Sequence, residues 1–144
     1  MHTFRHRRGF TLLELMIVLV VMAILAAIAV PSYTKYGYRA RRSDGQKLLM
    51  SIANAQERYY ALHNAYADLA TIGYAASTTA NSEAGYYTAS VTVTAVASLD
   101  AQAYTATATP VPQGAQARDV CGALSLTSTG VKAPTGTTSN GTCW

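Results

Sequence analysis

Apolar positions along the chain follow three successive patterns. From Phe10 to Val30 the residues are almost wholly apolar, and Glu14 is the one charge among them. As a helix, the stretch from Phe10 to Pro31 would reach ~33 Å, enough for a hydrocarbon core of ~30 Å. Beyond Pro31 the pattern turns amphipathic. Leu48, Ile52, Ala55, Tyr59 and Leu62 recur at spacings of four, three, four and three, one stripe of a helix, with Asp44, Lys47, Gln56 and Glu57 off it. Pro31 removes the donor that would bond the Ala27 carbonyl, so a kink or loosening is expected there, with Gly37 a second weak point. Phe10 to about His63 therefore reads as one interrupted helix ~80 Å long. A head domain this small cannot cover such a rod, so its first half must face lipid or other copies of the chain.

The period then changes from helical to two. Ala65 to Gly85 reads as a connecting loop with some local structure. Between Tyr86 and Val96 the alternation places Ala89, Val91, Val93 and Ala95 on one face, and Tyr104 to Thr109 repeats it with small residues before Pro110. A third strand is expected around Gly122 to Thr127, followed by a turn over Ser128 to Gly130. The predicted class is α+β: a long N-terminal α-helix, its first half transmembrane, packed on a small antiparallel sheet. The threonine-rich face of that sheet would be wet.

Composition narrows this picture. With 144 residues there is room for one domain and a membrane segment. Half the residues are apolar and 12% are charged, which excludes a disordered solvating chain. The formal charge of +4 includes Arg5, Arg7 and Arg8; without them eight basic residues face seven acidic ones, a balance of +1. That balance exerts no general pull on nucleic acid. Cys121 and Cys143 form no CxxC pair, and no histidine follows Arg118, so a zinc site is poorly supported. A disulfide is the simpler reading, worth ~3 kcal/mol on the chain-entropy model and requiring an oxidising compartment; two buried free thiols are the alternative.

The N-terminus admits two interpretations. A secretory signal peptide would take His2 to Arg8 as its basic region, Leu15 to Leu25 as its apolar region and Ala27-Ile28-Ala29 as its exit, releasing a protein that starts near Val30. Against this, the Gly9-Phe10 junction precedes the apolar run, Glu14 interrupts its start, and amphipathic helix continues beyond it. A carboxylate in mid-bilayer costs roughly 2.5–3.5 kcal/mol on insertion scales, so Glu14 needs a reason.

Arg8-Gly9-Phe10-Thr11-Leu12-Leu13-Glu14, followed by the apolar run and Pro31, resembles the class III signal of type IV pilins. The resemblance implies removal of residues 1–9 by a prepilin peptidase cutting between Gly9 and Phe10, then N-methylation of Phe10. The apolar helix is retained, and Phe10, Glu14 and Pro31 belong to the assembly segment. The new cationic amine at Phe10 and the carboxylate one turn along offset each other's cost, and between neighbouring subunits the pair sets the axial register. The resemblance also fits a C-terminal region bounded by a Cys121–Cys143 disulfide. The tail Gly-Thr-Cys-Trp and Arg58-Tyr59-Tyr60 look most like the PilE-like minor pilin group.

What this implies is a subunit held single-pass in the inner membrane with its N-terminus cytoplasmic, then moved into an extracellular filament. Its partners would be other pilin subunits, the inner membrane and the prepilin peptidase. Its roles would be pilus assembly, twitching motility, adhesion or DNA uptake. A pseudopilin of type II secretion shares the signal, but such proteins often bind calcium through an acidic C-terminal loop, and here Asp119 is the only acidic residue after Asp100. A pilus-borne DNA receptor is the other competitor, though Arg118 and Lys132 are the only basic residues after Arg58. Tyr33, Tyr36 and Tyr38 suit an interfacial belt. The cluster Arg39-Ala40-Arg41-Arg42 suits lipid headgroups or a solvated face, with DNA phosphate as the sharper alternative. No catalytic constellation, metal pattern or cofactor motif is present: His63, the histidine outside the leader, reads as a helix C-terminal residue, and an enzyme is not expected.

Overall fold

The computed structural model describes residues 9–96 and 99–144, so the arginines of the expected leader lie outside the described residues. The described residues divide into two compact units, one up to Thr34 and one from Lys35 onward. Helix α1 runs from Leu12 to His63, 52 residues, with Pro31 inside it. The helix continues through both Pro31 and Gly37, where the sequence suggests an interruption. A proline costs one backbone hydrogen bond, a small loss against the many that a 52-residue helix keeps on either side. At the other end Asn64 adopts φ 52°, and its N–H bonds the Tyr60 carbonyl at 2.8 Å, so a left-handed residue closes the helix.

In the second unit α1 lies on a five-stranded antiparallel sheet. The strands are β1 (Thr79–Asn81), β2 (Tyr87–Val96), β3 (Leu99–Pro110), β4 (Leu124–Thr127) and β5 (Lys132–Ala133). They neighbour one another in chain order, a simple meander. The central pair runs in register from Tyr87↔Pro110 to Thr94↔Ala103, with an irregularity between Thr94 and Val96. Strands β6 (Thr137–Thr138) and β7 (Gly141–Thr142) make a separate small hairpin. The sheet is larger than the sequence suggested: β1 lies inside the expected loop, and β3 begins before Tyr104. Short polar strands carry too little alternation to be seen alone, and they form because β2 and β4 offer them a template.

One face of the sheet is the core. Tyr87, Ala89, Tyr104, Ala106, Ala108, Leu124 and Leu126 pack with Leu48, Leu49 and Ile52 of α1 and with Tyr66 and Leu69 from the loop after the helix. The alanines of β2 and β3 leave space for the helix to come close. Gly45 goes further: a Cβ there would stand 2.9 Å from Cδ2 and Cγ of the Tyr87 ring. Along β2 burial fades from Tyr87 and Ala89 through Val91 to Val93, which is 38% exposed. Of the expected inward row, Ala89 is buried, Val91 half-buried and Val93 exposed. Tyr66 stacks on Tyr60 and meets Tyr104 edge-on, ring centroids 4.6 and 4.8 Å apart.

Two expectations about the helix face are corrected. Leu62 is 81% exposed, while Arg42 and Gln56 are buried at 1% and 0%. The buried line is Arg42, Gly45, Leu49, Ile52 and Gln56, flanked by Leu48 and Ala55. Ranking positions by apolarity rotates the stripe, because both polar ends are buried only through contacts made far away in sequence. The Gln56 side chain grips the backbone of one residue: its Nε2 donates to the Ala67 carbonyl and its Oε1 accepts from the Ala67 N–H. The same contact fixes the loop that carries Leu69 into the core.

Candidate functional site

The N-terminal segment holds four of the residues singled out by the sequence. Thr11 caps α1, its Oγ1 accepting from the Glu14 N–H at 3.2 Å. Thr11-Leu-Leu-Glu14 has the spacing of a capping box, a local role for Glu14's position that the reading of the apolar run missed. Acidic character in the first turn also suits the helix dipole. Phe10 is 83% exposed, and the large apolar residues from Leu12 to Val30 are each 48–78% exposed. The most apolar 18-residue window of α1 has mean hydropathy 2.9 and none of it is buried. Covering each such side chain yields about 1.5–3 kcal/mol, so this face demands lipid or protein. Pro31 sits within the helix, where its carbonyl accepts from the Thr34 hydroxyl at 2.9 Å. Among the described residues Glu14 has no ion-pair partner within the chain; the one ion pair is Arg42 with Asp119.

That pair is the centre of a second site. Arg42 Nε donates to Asp119 Oδ2 and its Nη2 to Oδ1, both at 2.6 Å, a two-pronged contact. The remaining donors reach the Thr142 carbonyl at 2.6 Å and the Asn140 carbonyl at 3.3 Å. Asp119 also accepts from Gln116 Nε2, Asn140 Nδ2 and the Cys121 N–H. Burial pushes the Asp119 carboxyl up, but the Arg42 and Asn140 hydrogen bonds and the Arg42 charge outweigh it, holding the group below its ordinary value. Gln116 Nε2 additionally reaches the Tyr38 carbonyl and the Tyr87 hydroxyl, each at 3.1 Å. Gln46 and Arg41 add bonds to the Cys143 and Ala115 carbonyls.

Cys121 and Cys143 are joined, closing a sequence separation of 22 with Cα atoms 5.6 Å apart. No free cysteine is present among the described residues. The Arg42 assignment changes with the structure: it is neither a lipid contact nor a solvated cation, whereas Arg39 is exposed. Sequence gave no signal for its partner, 77 positions away. In the sequence Asp119 stands out only as a carboxylate without acidic neighbours. The one hint was that Arg42 sits on the helix line shared by Leu49, Ile52 and Gln56. Chemically, this site fastens a chain segment; among the described residues no group of three or more His, Cys, Asp or Glu could hold a metal ion. His63 stacks on Tyr59, with centroids 4.0 Å apart, and its Nδ1 contacts the Tyr59 carbonyl.

Comparison with known proteins places the chain in a family. Residues 31–125 match the family described as type IV minor pilin ComP, DNA uptake sequence receptor, and residues 4–30 match the prokaryotic N-terminal methylation motif. The fimbrial protein EcpC of Eikenella corrodens is 36% identical over 113 residues, covering 78% of this chain and 71% of that protein. The type IV major pilin protein PilA of Myxococcus xanthus is 42% identical over 69 residues, 47% of this chain and 31% of that protein. The match thus spans under a third of the myxococcal relative and about seven-tenths of the Eikenella one. A solved type IV pilin from Shewanella oneidensis superposes with TM-score 0.54 at 31% identity, covering 74% of this chain and 97% of that one. With a capped apolar helix, a helix-backed antiparallel meander and a disulfide-bounded C-terminal region, the chain belongs to the type IV pilins, within the ComP minor pilin family.

Proposed function

We propose that this chain is a minor structural subunit of a type IV pilus that polymerises through residues 10–31. In this reading residues 1–9 are removed after Gly9, Phe10 is methylated, and the subunit waits single-pass in the inner membrane with its N-terminus cytoplasmic. The observation that carries it is the uncovered apolar helix with one carboxylate, Glu14, in its first turn. Inside a bundle of such helices the Glu14 carboxylate of one subunit meets the Phe10 amine of another, and head-to-tail contacts propagate instead of closing. The protein's work is mechanical, without a catalytic step or cofactor. The full chain carrying Glu14→Ala is expected to remain in the membrane fraction but to be depleted from sheared filaments, and mass spectrometry of parent filaments is expected to read an N-terminal methylated phenylalanine. Filament yield equal to the parent removes the register role, and a chain starting at Val30 removes the assembly reading.

DNA capture is the second reading, favoured by the description of the matched family. Exposed Arg39 and Arg118 and Lys132, whose Nζ lies 4.9 Å from the Trp144 ring centroid, are the groups that would meet phosphate. Titrating the full chain in detergent against labelled duplex at several salt concentrations tests it. Affinity unchanged in the variant combining Arg118→Gln with Lys132→Gln rejects that interface.

A further inference from the structure

The Arg42 side chain touches both arms of the disulfide from outside the loop that the disulfide closes. On one arm it holds Asp119, two residues before Cys121, and the same carboxylate accepts the Cys121 N–H at 3.4 Å. On the other arm it holds the carbonyls of Asn140 and of Thr142, the residue directly before Cys143. Asn140 closes the circuit between the arms by donating to Asp119 at 3.2 Å. Gln46, one turn along α1, takes the Cys143 carbonyl itself. None of these bonds involves sulfur. All of them can form before the sulfurs are joined.

We propose that Arg42, paired with Asp119, is the positioning residue for oxidation of Cys121 and Cys143, holding the two thiols side by side in the reduced chain. The reaction is ordinary thiol–disulfide exchange with a small disulfide oxidant. The thiolate of one cysteine attacks the oxidant, forming a mixed disulfide and releasing one thiol. The thiolate of the other then attacks the protein sulfur and releases the second thiol, so two protein thiols become one disulfide as the oxidant is reduced to two thiols. Arg42 takes no part in bond making. Its contribution is to convert the second attack from a search by a 22-residue loop into a reaction between held groups. By linkage, whatever Arg42 adds to disulfide formation the disulfide returns to the Arg42 contacts.

The geometry also explains why an arginine occupies this place. Three of its nitrogens serve four acceptors on two chain segments. A lysine supplies the charge but not the planar fork. The site is buried, with Arg42 and Asp119 side chains 1% and 0% exposed, so water does not compete for these bonds.

The test is the equilibrium between the full chain, in detergent, and reduced and oxidised glutathione, with the two cysteine states separated by thiol alkylation and mass. Arg42→Gln is expected to lower the effective concentration of the thiol pair at least tenfold, with Arg42→Lys in between. Ile52→Val, which loosens the core without touching either arm, is expected to leave it within twofold. An Arg42→Gln value within twofold of the parent overturns the proposal. So does an Ile52→Val loss as large as that of Arg42→Gln, which makes the effect one of general stability. Should Arg42→Gln lose the helical circular dichroism signal, Arg42→Lys decides alone, and a value within twofold of the parent then overturns the proposal.

Discussion

Replacing Gly45 with alanine separates local propensity from packing. In an open helix the change gains about 1 kcal/mol, because alanine is the best helix former and glycine nearly the worst. Here the new Cβ would stand 2.9 Å from Cδ2 and Cγ and 3.1 Å from Cδ1 of Tyr87. The ring cannot swing clear: Tyr87 is fully buried, and its hydroxyl is held by Gln116 Nε2 at 3.1 Å. Overpacking a closed core costs about 1–3 kcal/mol, and a tethered ring belongs at the upper end of that range. After subtracting the propensity gain, Gly45→Ala is expected to destabilise by about 1–2 kcal/mol, which lowers Tm by about 3–8 °C for a chain of this size. Gly37→Ala is the internal control, since its Cβ would meet only the Arg41 guanidinium, at an ordinary contact distance of 3.5 Å. That variant should raise Tm. Thermal denaturation followed by circular dichroism reads both, and the two glycines moving Tm in the same direction refutes the packing argument.

Two further tests address the core line and the buried pair. Leu49→Ala, at a site fully enclosed by α1 and the sheet, should cost about 2–5 kcal/mol in a denaturant titration, whereas Leu62→Ala should stay within about 0.5 kcal/mol despite the apolar spacing. Asp119→Asn leaves the buried Arg42 without its counter-charge and should cost about 3–5 kcal/mol near neutral pH. Because the native Asp119 value lies below that of the unfolded chain, its stabilisation is complete above the ordinary carboxylate value of about 3.9 and disappears as pH falls through the native one. The stability gap between parent and Asp119→Asn should therefore narrow in acid; a gap that widens there contradicts the assignment.

The chain alone carried the greater part of the architecture, for reasons that differ by element. The apolar run from Phe10 to Val30 is legible because lipid or like helices select on composition, with no partner needed to interpret it. Gly9-Phe10 and Glu14 are legible as a set because a methylation motif and a helix cap are both written in neighbouring residues. Strand β2 shows itself through Val91 and Val93 because a half-covered sheet imposes period two. Tertiary structure alone decided the remainder. Arg42 and Gln56 look like solvent-facing polar positions until Asp119, Thr142 and Ala67 are brought to them from 77, 100 and 11 positions away. Leu62 looks like core until α1 ends at His63, and the chain turns away at Asn64 before covering it. Local periodicity records which side chains prefer to leave water, but whether a polar group is satisfied after burial depends on groups that only the folded chain brings together.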